Sequence, residues 1–323
     1  MHRIVGLPAL LALAFAACEA TPARHKSAPD ALVGDAAAGD AVPADVAAAT
    51  GSTAPAGGYG GVSCVAPYTE ELTPPGDLKP IKAAYTAAGA VNAAAEVLAL
   101  RYAHGRYIVA HPKVNGDLAP WLETGTWKDF VQSLSTGVHE VNHQLGFALS
   151  DFTTYAYVVR EDAQFDVPMV GTYDRSAIAE YLNADDQARS QYFATYFTGQ
   201  MGAQGFETLL DELNAYIHTT FTDLGVIDQM PKGLSISSRD GVVSFLYFTE
   251  LYLRHGREKE KATWEKMRAT PQLVALIRLL WARANFILEK TAANPQLGLD
   301  DAYWLALALA PENVAELNAF LCE

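Results

Sequence analysis

Two histidines four residues apart, with a glutamate directly after the first, are the residues of this chain whose spacing best supports chemistry. They stand in the run His139-Glu140-Val141-Asn142-His143. On an α-helix, residues i and i+4 lie on the same face, so both imidazoles can bind one metal ion. A carboxylate beside the metal can take a proton from a water molecule that attacks a carbonyl group. The spacing therefore indicates a hydrolytic metal site, with His139 and His143 as ligands and Glu140 as general base.

The surrounding sequence predicts the helix that such a site requires. Apolar residues recur at intervals of three and four from Trp127 to Leu145, which indicates an amphipathic helix with one buried face. Thr126 is expected to cap the start of this helix, and Gly146 is expected to end it. The motif would then occupy the last two turns of a buried helix, and only its His-Glu face would meet a cleft.

At these residues the chain resembles the zincin metallopeptidases. The resemblance implies a bound Zn²⁺ ion, a helix that carries both histidines, Glu140 as general base, and hydrolysis of peptide bonds. Leu149 stands where the metzincin branch of these enzymes has a third histidine. The resemblance therefore implies that a carboxylate from elsewhere in the chain completes the metal site.

Glu212 is the best candidate for that carboxylate. It lies in a predicted amphipathic helix over residues 205–221, and the string Glu212-Leu-Asn-Ala215 resembles the Glu-x-x-Ala segment of gluzincins. Two alternatives stay open. Asp174 ends a Gly-Thr-Tyr-Asp string that resembles the start of the aspzincin segment, although it could also cap the helix that follows. Glu250, on another predicted helix, is the second alternative.

A hydrolase of this kind also needs a hydrogen-bond donor for the oxyanion that forms when water adds to the amide. Tyr216 and His218 follow Glu212 on the same predicted helix, and we expect one of them to face the metal. Glu207 and Asp211 are expected on the solvated face of that helix. Donors from another helix are equally possible, namely Tyr247, Tyr252 and His255.

The predicted fold class is α+β and predominantly α. Helices are expected over residues 78–102, 127–145, 175–182, 185–198, 205–221, 240–255, 271–290, 299–309 and 311–321. Strands are expected at Arg106–Ala110, Thr154–Val159 and Val167–Gly171, with a hairpin turn over Arg160–Asp166. The zincin resemblance implies a small β-sheet packed on the active-site helix and a helical C-terminal lobe, in a metallopeptidase-like domain over residues 62–323.

The N-terminal region predicts export. Residues 1–17 read as a signal peptide, and the residues before Cys18 resemble a bacterial lipobox, which implies a lipid anchor at Cys18. Residues 18–61 are rich in Ala, Gly, Pro and Asp and are expected to form a disordered tether. The expected location is the bacterial cell envelope, on the periplasmic or the surface side of the outer membrane. If the lipobox is not used, the protein would be secreted.

Cysteine positions and net charge add two expectations. Cys64 and Cys322 lie at the two ends of the folded region, and an oxidising compartment would let them pair; two unpaired thiols are the alternative. The net charge of −14 argues against nucleic-acid binding, which needs a basic surface. The sequence thus predicts a zinc peptidase with a protein or peptide substrate. Its alternative is a non-catalytic surface lipoprotein with a zincin fold that binds a partner.

Overall fold

Helices make up most of the described residues, and a small two-stranded sheet accompanies them. The computed structural model describes residues 60–73 and 75–322. Its α-helices are α1 (Lys79–Ala84), α2 (Ala90–Arg101), α3 (Ala103–Ala110), α4 (Trp127–Leu149), α5 (Ala184–Arg189), α6 (Phe193–Tyr196), α7 (Gly199–Gly202), α8 (Phe206–Val226), α9 (Ser238–Lys259), α10 (Lys261–Arg268), α11 (Pro271–Thr291), α12 (Asp301–Ala308) and α13 (Pro311–Leu321). Short 3₁₀-helices lie at Ala87–Gly89, Pro112–Val114, Ala119–Trp121, Arg175–Tyr181, Ile227–Gln229 and Pro295–Leu297. The predicted class, α+β and predominantly α, is confirmed.

Helix α8 is the centre of the core. It packs against α4 on one side and α9 on another, and it also contacts α11 and β1. This placement follows from its sequence, because apolar residues three and four positions apart, such as Leu209, Leu213 and Ile217, are buried along it. Helices α12 and α13 then cover α9. Residues on α4 and on α8 can therefore meet in the interior of the protein.

Helix α4 forms where its apolar spacing predicts it. The Thr126 side chain accepts a hydrogen bond from the Asp129 N–H at 3.2 Å, which caps the first turn. The prediction that Gly146 ends the helix is wrong, since α4 continues to Leu149. Gly146 instead allows close packing, because a Cβ atom at this position would lie 3.0 Å from the Ala156 carbonyl oxygen of β1.

The sheet is an antiparallel hairpin of β1 (Thr154–Arg160) and β2 (Ala163–Pro168). Strand β1 packs on α4, and the Asn142 side-chain amide donates to the Val158 carbonyl oxygen at 3.1 Å. The second strand begins earlier than predicted and ends at Pro168, and the turn is correspondingly short. Gln164 and Asp166 face solvent and alternate with the less exposed Phe165 and the buried Val167, a period-two pattern most of which the prediction placed in the turn.

Four other predictions of local structure are wrong. Arg106–Ala110 belongs to helix α3, since a short apolar run is compatible with either a strand or a helix and the packing on α2 and α4 decides between them. Residues 78–102 form α1, a 3₁₀-turn and α2 in place of one helix. Residues 185–198 contain the two short helices α5 and α6, and residues 175–182 are largely 3₁₀. Helix α10 was not predicted.

The two ends of the described chain are joined. Cys64 and Cys322 form a disulfide with a Cα–Cα distance of 5.4 Å, which confirms the predicted pairing. Val62 and Val65, next to the bridge, are buried. Gly60 already lies against Trp281 and Asn285 of α11, so contact with the helices begins within the last residues of the predicted tether.

Helix α11 is, among the described residues, the one helix long and apolar enough to cross a membrane by length and composition. Its apolar window is 67% buried in the protein, and Arg283 within it is fully buried. This is the pattern of a core helix. The predicted signal peptide, the lipid anchor at Cys18 and nearly all of the tether lie outside the described residues.

Candidate metal site

Three predicted ligands meet where α4 crosses α8. His139 Nε2 and His143 Nε2 lie 3.1 Å apart, and Glu212 Oε2 lies 3.6 Å from the first nitrogen and 3.4 Å from the second. The three residues are buried, and together they could hold a metal ion. In the part of the chain that the structure describes, no other group of three such ligands comes this close together.

The spacing of these three atoms fits a small cation. For tetrahedral zinc with bonds of about 2.0–2.1 Å, two ligand atoms lie about 3.3–3.4 Å apart. The three observed distances, 3.1, 3.4 and 3.6 Å, bracket that value. The donor set of two imidazoles and one carboxylate also matches catalytic zinc sites that keep a fourth position open.

The other nitrogen of each imidazole is already bonded. His143 Nδ1 lies 2.6 Å from Asp211 Oδ2, and His139 Nδ1 lies 3.0 Å from the Thr219 hydroxyl. In metal sites, a ligating histidine usually donates its second N–H to such an outer partner. Both histidines therefore present Nε2 to the same point in space.

Glu212 supplies a further sign that a cation belongs here. Its Oε2 atom is buried and has no hydrogen-bond partner among the described residues, and buried polar atoms are otherwise nearly always paired. Burial alone would raise the pKa of this carboxyl, but His143 and His139 more than offset that effect and hold the pKa well below its ordinary value. The carboxylate is thus ionised and faces two imidazoles.

His143 is the counterpart of this charge. Burial lowers the pKa of the His143 imidazole, but Asp211 and Glu212 more than offset it and raise the pKa well above its ordinary value. Without a metal, the imidazole would hold a proton between the two carboxylates. A metal ion would replace that proton, because ligating histidines must be neutral.

Glu140 directly follows His139 on α4, and no hydrogen bond or ion pair from any described residue holds its carboxylate. The residues at the site retain little contact with solvent, with exposed fractions of 6% for His139, 7% for Glu140, 7% for His143 and 5% for Glu212. The predicted His-Glu face is therefore almost completely shielded from solvent, although Thr136, one turn before Glu140, is exposed.

Of the two predicted oxyanion donors on α8, Tyr216 lies near the ligands and His218 does not. The Tyr216 ring packs edge-on against His139, with centroids 4.7 Å apart, and its hydroxyl interacts with those of Tyr192 and Tyr196. Gly241 of α9 makes room for this ring, because a Cβ atom there would lie 2.0 Å from Tyr216 Cδ1.

His218 faces away from the ligands, so the structure does not bring it to the site. Its Nδ1 atom lies 2.5 Å from the Tyr102 hydroxyl, and its Nε2 atom donates to the Val158 carbonyl oxygen at 3.1 Å. With both ring nitrogens bonded and the side chain fully buried, His218 is a neutral histidine of the core. Burial, followed by the charge of Arg283, lowers its pKa well below the ordinary value.

The two rival ligands lie elsewhere. Asp174 is exposed, and it does not cap the following 3₁₀-helix either, since it makes no side-chain cap hydrogen bond. Glu250 is fully buried, and its two carboxyl oxygens lack partners among the described residues. Burial, with a smaller effect from Glu316, raises the pKa of Glu250 well above its ordinary value. Neither residue joins the two histidines.

Sequence reasoning missed the outer partners of the histidines. The expected solvated face is wrong for Asp211, which is 3% exposed and bonded to His143. Glu207 is partly buried and accepts a hydrogen bond from the Thr172 hydroxyl. Thr219, seven residues after Glu212, returns to the same helix face. The seven-residue spacing could have indicated that Thr219 lies near the site. A threonine on a helix, however, is not a residue type that by itself predicts a hydrogen bond to a ligating histidine.

Comparison with known proteins gives no match, whether with protein-family models, curated proteins or solved structures. What is said about function therefore depends on the residues and the geometry of this chain.

Proposed function

We propose that this protein is a zinc-dependent, zincin-like peptidase that hydrolyses peptide bonds outside the cytoplasm. The observation that carries the proposal is the convergence of His139 Nε2, His143 Nε2 and Glu212 Oε2 at 3.1–3.6 Å, with Glu140 directly after His139 on the same helix. Among the described residues, Glu212 Oε2 has no hydrogen-bond partner. Hydrolysis that depends on a metal ion needs a set of metal ligands and a base that can take the proton of the attacking water. This small region contains both.

Zinc is the metal that the ligands favour. Two neutral imidazoles and one carboxylate are typical of catalytic zinc, whereas calcium and magnesium prefer sites made of oxygen ligands. A zinc ion bound here would acidify a water molecule and polarise the carbonyl group of a substrate.

Glu140 is the proposed general base and acid. Its carboxylate would accept a proton from the attacking water while the water oxygen forms a bond to the carbonyl carbon. As the C–N bond breaks, Glu140 would return that proton to the leaving nitrogen, so the peptide and one water give a carboxylic acid and an amine. The absence of a hydrogen-bond partner for Glu140 among the described residues supports this role, because its oxygens stay available.

Tyr216 is the remaining candidate for the oxyanion donor on α8. The ring contact with His139 supports its nearness to the reaction, while the bonding of both His218 nitrogens argues against the histidine. Tyr216 would have to turn its hydroxyl from Tyr192 and Tyr196 towards the substrate.

The proposed location is the bacterial cell envelope, with a lipid anchor at Cys18, or the exterior if that anchor is absent. The Cys64–Cys322 disulfide supports an oxidising compartment. The proposed partners are a protein or peptide substrate and, through the lipid, a membrane.

One observation favours the alternative of a non-catalytic lipoprotein that binds a partner. All three candidate ligands are buried, as they are in structural zinc sites, where the metal contributes to folding. In that case the metal would hold α4 against α8, and Glu140 would have no chemical role.

A comparison of wild type and Glu140→Gln separates these two functions. We expect the full-length protein to contain zinc and to cleave a peptide library, and to lose cleavage when zinc is chelated. Glu140→Gln should keep its zinc but lose about 10²- to 10⁴-fold in cleavage rate, the usual contribution of general acid–base catalysis. Glu96→Gln, at an exposed position on α2, is the matched control and should be unaffected. Zinc-loaded wild type without any cleavage would reject the peptidase and favour the binding protein.

A further inference from the structure

We propose that Asp211 and Thr219 are positioning residues, one for each histidine ligand, so that α8 supplies a metal ligand and also both partners that orient the other two. The inference rests on the metal site of the proposed function but does not require peptidase activity. It concerns which residues of this chain set the affinity for the metal.

Asp211 is buried and forms a short hydrogen bond with His143. Its side chain is 4% exposed, and Oδ2 lies 2.6 Å from His143 Nδ1. The Tyr155 hydroxyl of β1 donates to the same oxygen at 3.1 Å. Asp211 is therefore fixed from the sheet as well as from its own helix, and its charge strengthens the hydrogen bond to the imidazole.

Thr219 holds His139 in a way that determines which ring nitrogen carries the proton. The Thr219 hydroxyl donates to the Ala215 carbonyl oxygen at 3.0 Å. A hydroxyl has one proton, so its oxygen can only accept from His139 Nδ1, which lies 3.0 Å away. His139 thus carries its proton on Nδ1 and leaves Nε2 free for the metal.

The two contacts make the docking of α8 on α4 decisive for the site. Positions 211, 212 and 219 are on one rigid helix, and they contact His143, both histidines and His139 respectively. A small movement of α8 would change all three contacts together. Outer partners of this kind typically contribute 10- to 100-fold to metal affinity.

The two partners should not contribute equally. Asp211 adds a negative charge that makes His143 a stronger donor, whereas the neutral Thr219 hydroxyl mainly fixes the ring orientation and the tautomer of His139. Removing the charge at position 211 should therefore weaken metal binding more than removing the hydroxyl at position 219.

Chelator competition with Zn²⁺ on the full-length protein tests this order. We expect Asp211→Asn to weaken zinc binding by about 10- to 100-fold and Thr219→Val by up to about 10-fold. Thr219→Ser, which keeps the hydroxyl, should restore affinity to near wild type. Thr222→Val is the matched control, because Thr222 also donates to a backbone carbonyl of α8, that of His218 at 2.8 Å, but contacts no ligand.

Two further measurements separate positioning from a structural role. Urea unfolding of the metal-free variants reports stability, and long-range ¹H–¹⁵N NMR spectra report the His139 tautomer, which should become mixed in Thr219→Val. Equal losses of affinity in Thr219→Val and Thr222→Val would overturn the proposal, as would variants that change only the unfolding free energy.

If Asp211→Asn does not fold, Tyr155→Phe replaces it, since it keeps the carboxylate but removes one of its two hydrogen-bond donors. A few-fold loss of zinc affinity is then expected, and unchanged affinity in both Tyr155→Phe and Thr219→Val would overturn the proposal.

Failure of the proposed peptidase function would give a different result from failure of the positioning residues. If wild type binds zinc tightly but cleaves no peptide, the peptidase falls, while the affinity order among these variants still tests the positioning residues.

Discussion

Two buried polar clusters lie on different faces of helix α8, and both contain a histidine and a glutamate. The metal cluster consists of His139, His143 and Glu212. The arginine network consists of Glu70, Tyr102, His218 and Arg283. In the metal cluster, three potential ligand atoms converge, and Glu212 Oε2 lacks a hydrogen-bond partner among the described residues. In the arginine network, Arg283 donates to Glu70, to the Val159 carbonyl oxygen and to the Tyr102 hydroxyl.

The contrast shows how a buried histidine in a candidate metal site differs from one in the protein core. His218 has a donor at one nitrogen and an acceptor at the other, so nothing needs to be added. In His139 and His143, Nδ1 has a hydrogen-bond partner outside the cluster. The Nε2 atom of each ring faces the Nε2 atom of the other histidine and the Glu212 carboxylate. Only a proton or a cation makes the second arrangement favourable.

The largest expected effect on folding comes from Arg283→Met. The guanidinium is fully buried, and its loss would leave Glu70 buried without its cation, which typically costs about 3–5 kcal/mol of unfolding free energy. Urea unfolding measures this loss. Arg254→Met is the control: its partner Glu258 and Arg254 itself are each about a third exposed, so the change should cost about 1 kcal/mol or less. Zinc affinity should stay within about 3-fold in any folded variant, and a folded Arg283→Met that binds no zinc would show that the clusters are not separate.

Asp223 offers an intermediate case, a buried carboxyl on α8 with hydroxyl partners but no cation. Burial raises its pKa to about 7, although hydrogen bonds from Ser135 and Ser238 oppose this. Because the folded pKa exceeds the unfolded value of about 3.9, folding favours the protonated form. The stability contributed by this group is full below about pH 4, declines as the pH rises towards 7, and is constant above that.

Asp223→Asn should therefore flatten the pH dependence of stability. As the pH rises from 4 to 7, wild type should lose on the order of 4 kcal/mol of unfolding free energy that Asp223→Asn keeps, since a difference of one pKa unit corresponds to about 1.4 kcal/mol. Thermal or urea unfolding across that range, read against Asp166→Asn at an exposed position, measures it. Parallel pH profiles for wild type and Asp223→Asn would contradict the assignment of a raised pKa.

A smaller effect is expected from Tyr102→Phe. The hydroxyl donates to His218 Nδ1 and accepts from Arg283 Nη2 at 2.9 Å, so its removal leaves two buried groups with one partner fewer. A loss of about 1–2 kcal/mol in unfolding free energy is expected, with zinc affinity unchanged. Destabilisation below about 0.3 kcal/mol would mean that the network is less tightly formed than its distances indicate.

Much of the fold could be predicted, and the failures have a common cause. Long helices with regular apolar spacing, such as α4, α8 and α11, were found near their observed bounds. Arg106–Ala110 was assigned to a strand because Tyr, Ile and Val favour strands, whereas contacts with α2 and α4 hold it in a helix. Tertiary packing determines whether such a short segment forms a helix or a strand, and its local sequence pattern does not reveal that packing.

The residues of the candidate site that could be predicted are those whose side chains are common metal ligands. His139, His143 and Glu212 were selected from helical spacing and from a resemblance, and the structure brings them together. Asp211 and Thr219 were missed because their roles depend on how α8 is rotated against α4. His218 was misplaced for the same reason, since it lies on the α8 face that meets β1 and Tyr102.

A zinc titration of the full-length protein and of Glu212→Gln tests most directly whether the metal cluster is a metal site. Wild type should bind one zinc ion per chain, and Glu212→Gln, which keeps the shape but loses the ligand charge, should bind at least about 100-fold more weakly, since a direct ligand contributes more than an outer partner. Equal affinity in the two proteins, or no zinc bound by wild type, would contradict the assignment of His139, His143 and Glu212 as ligands.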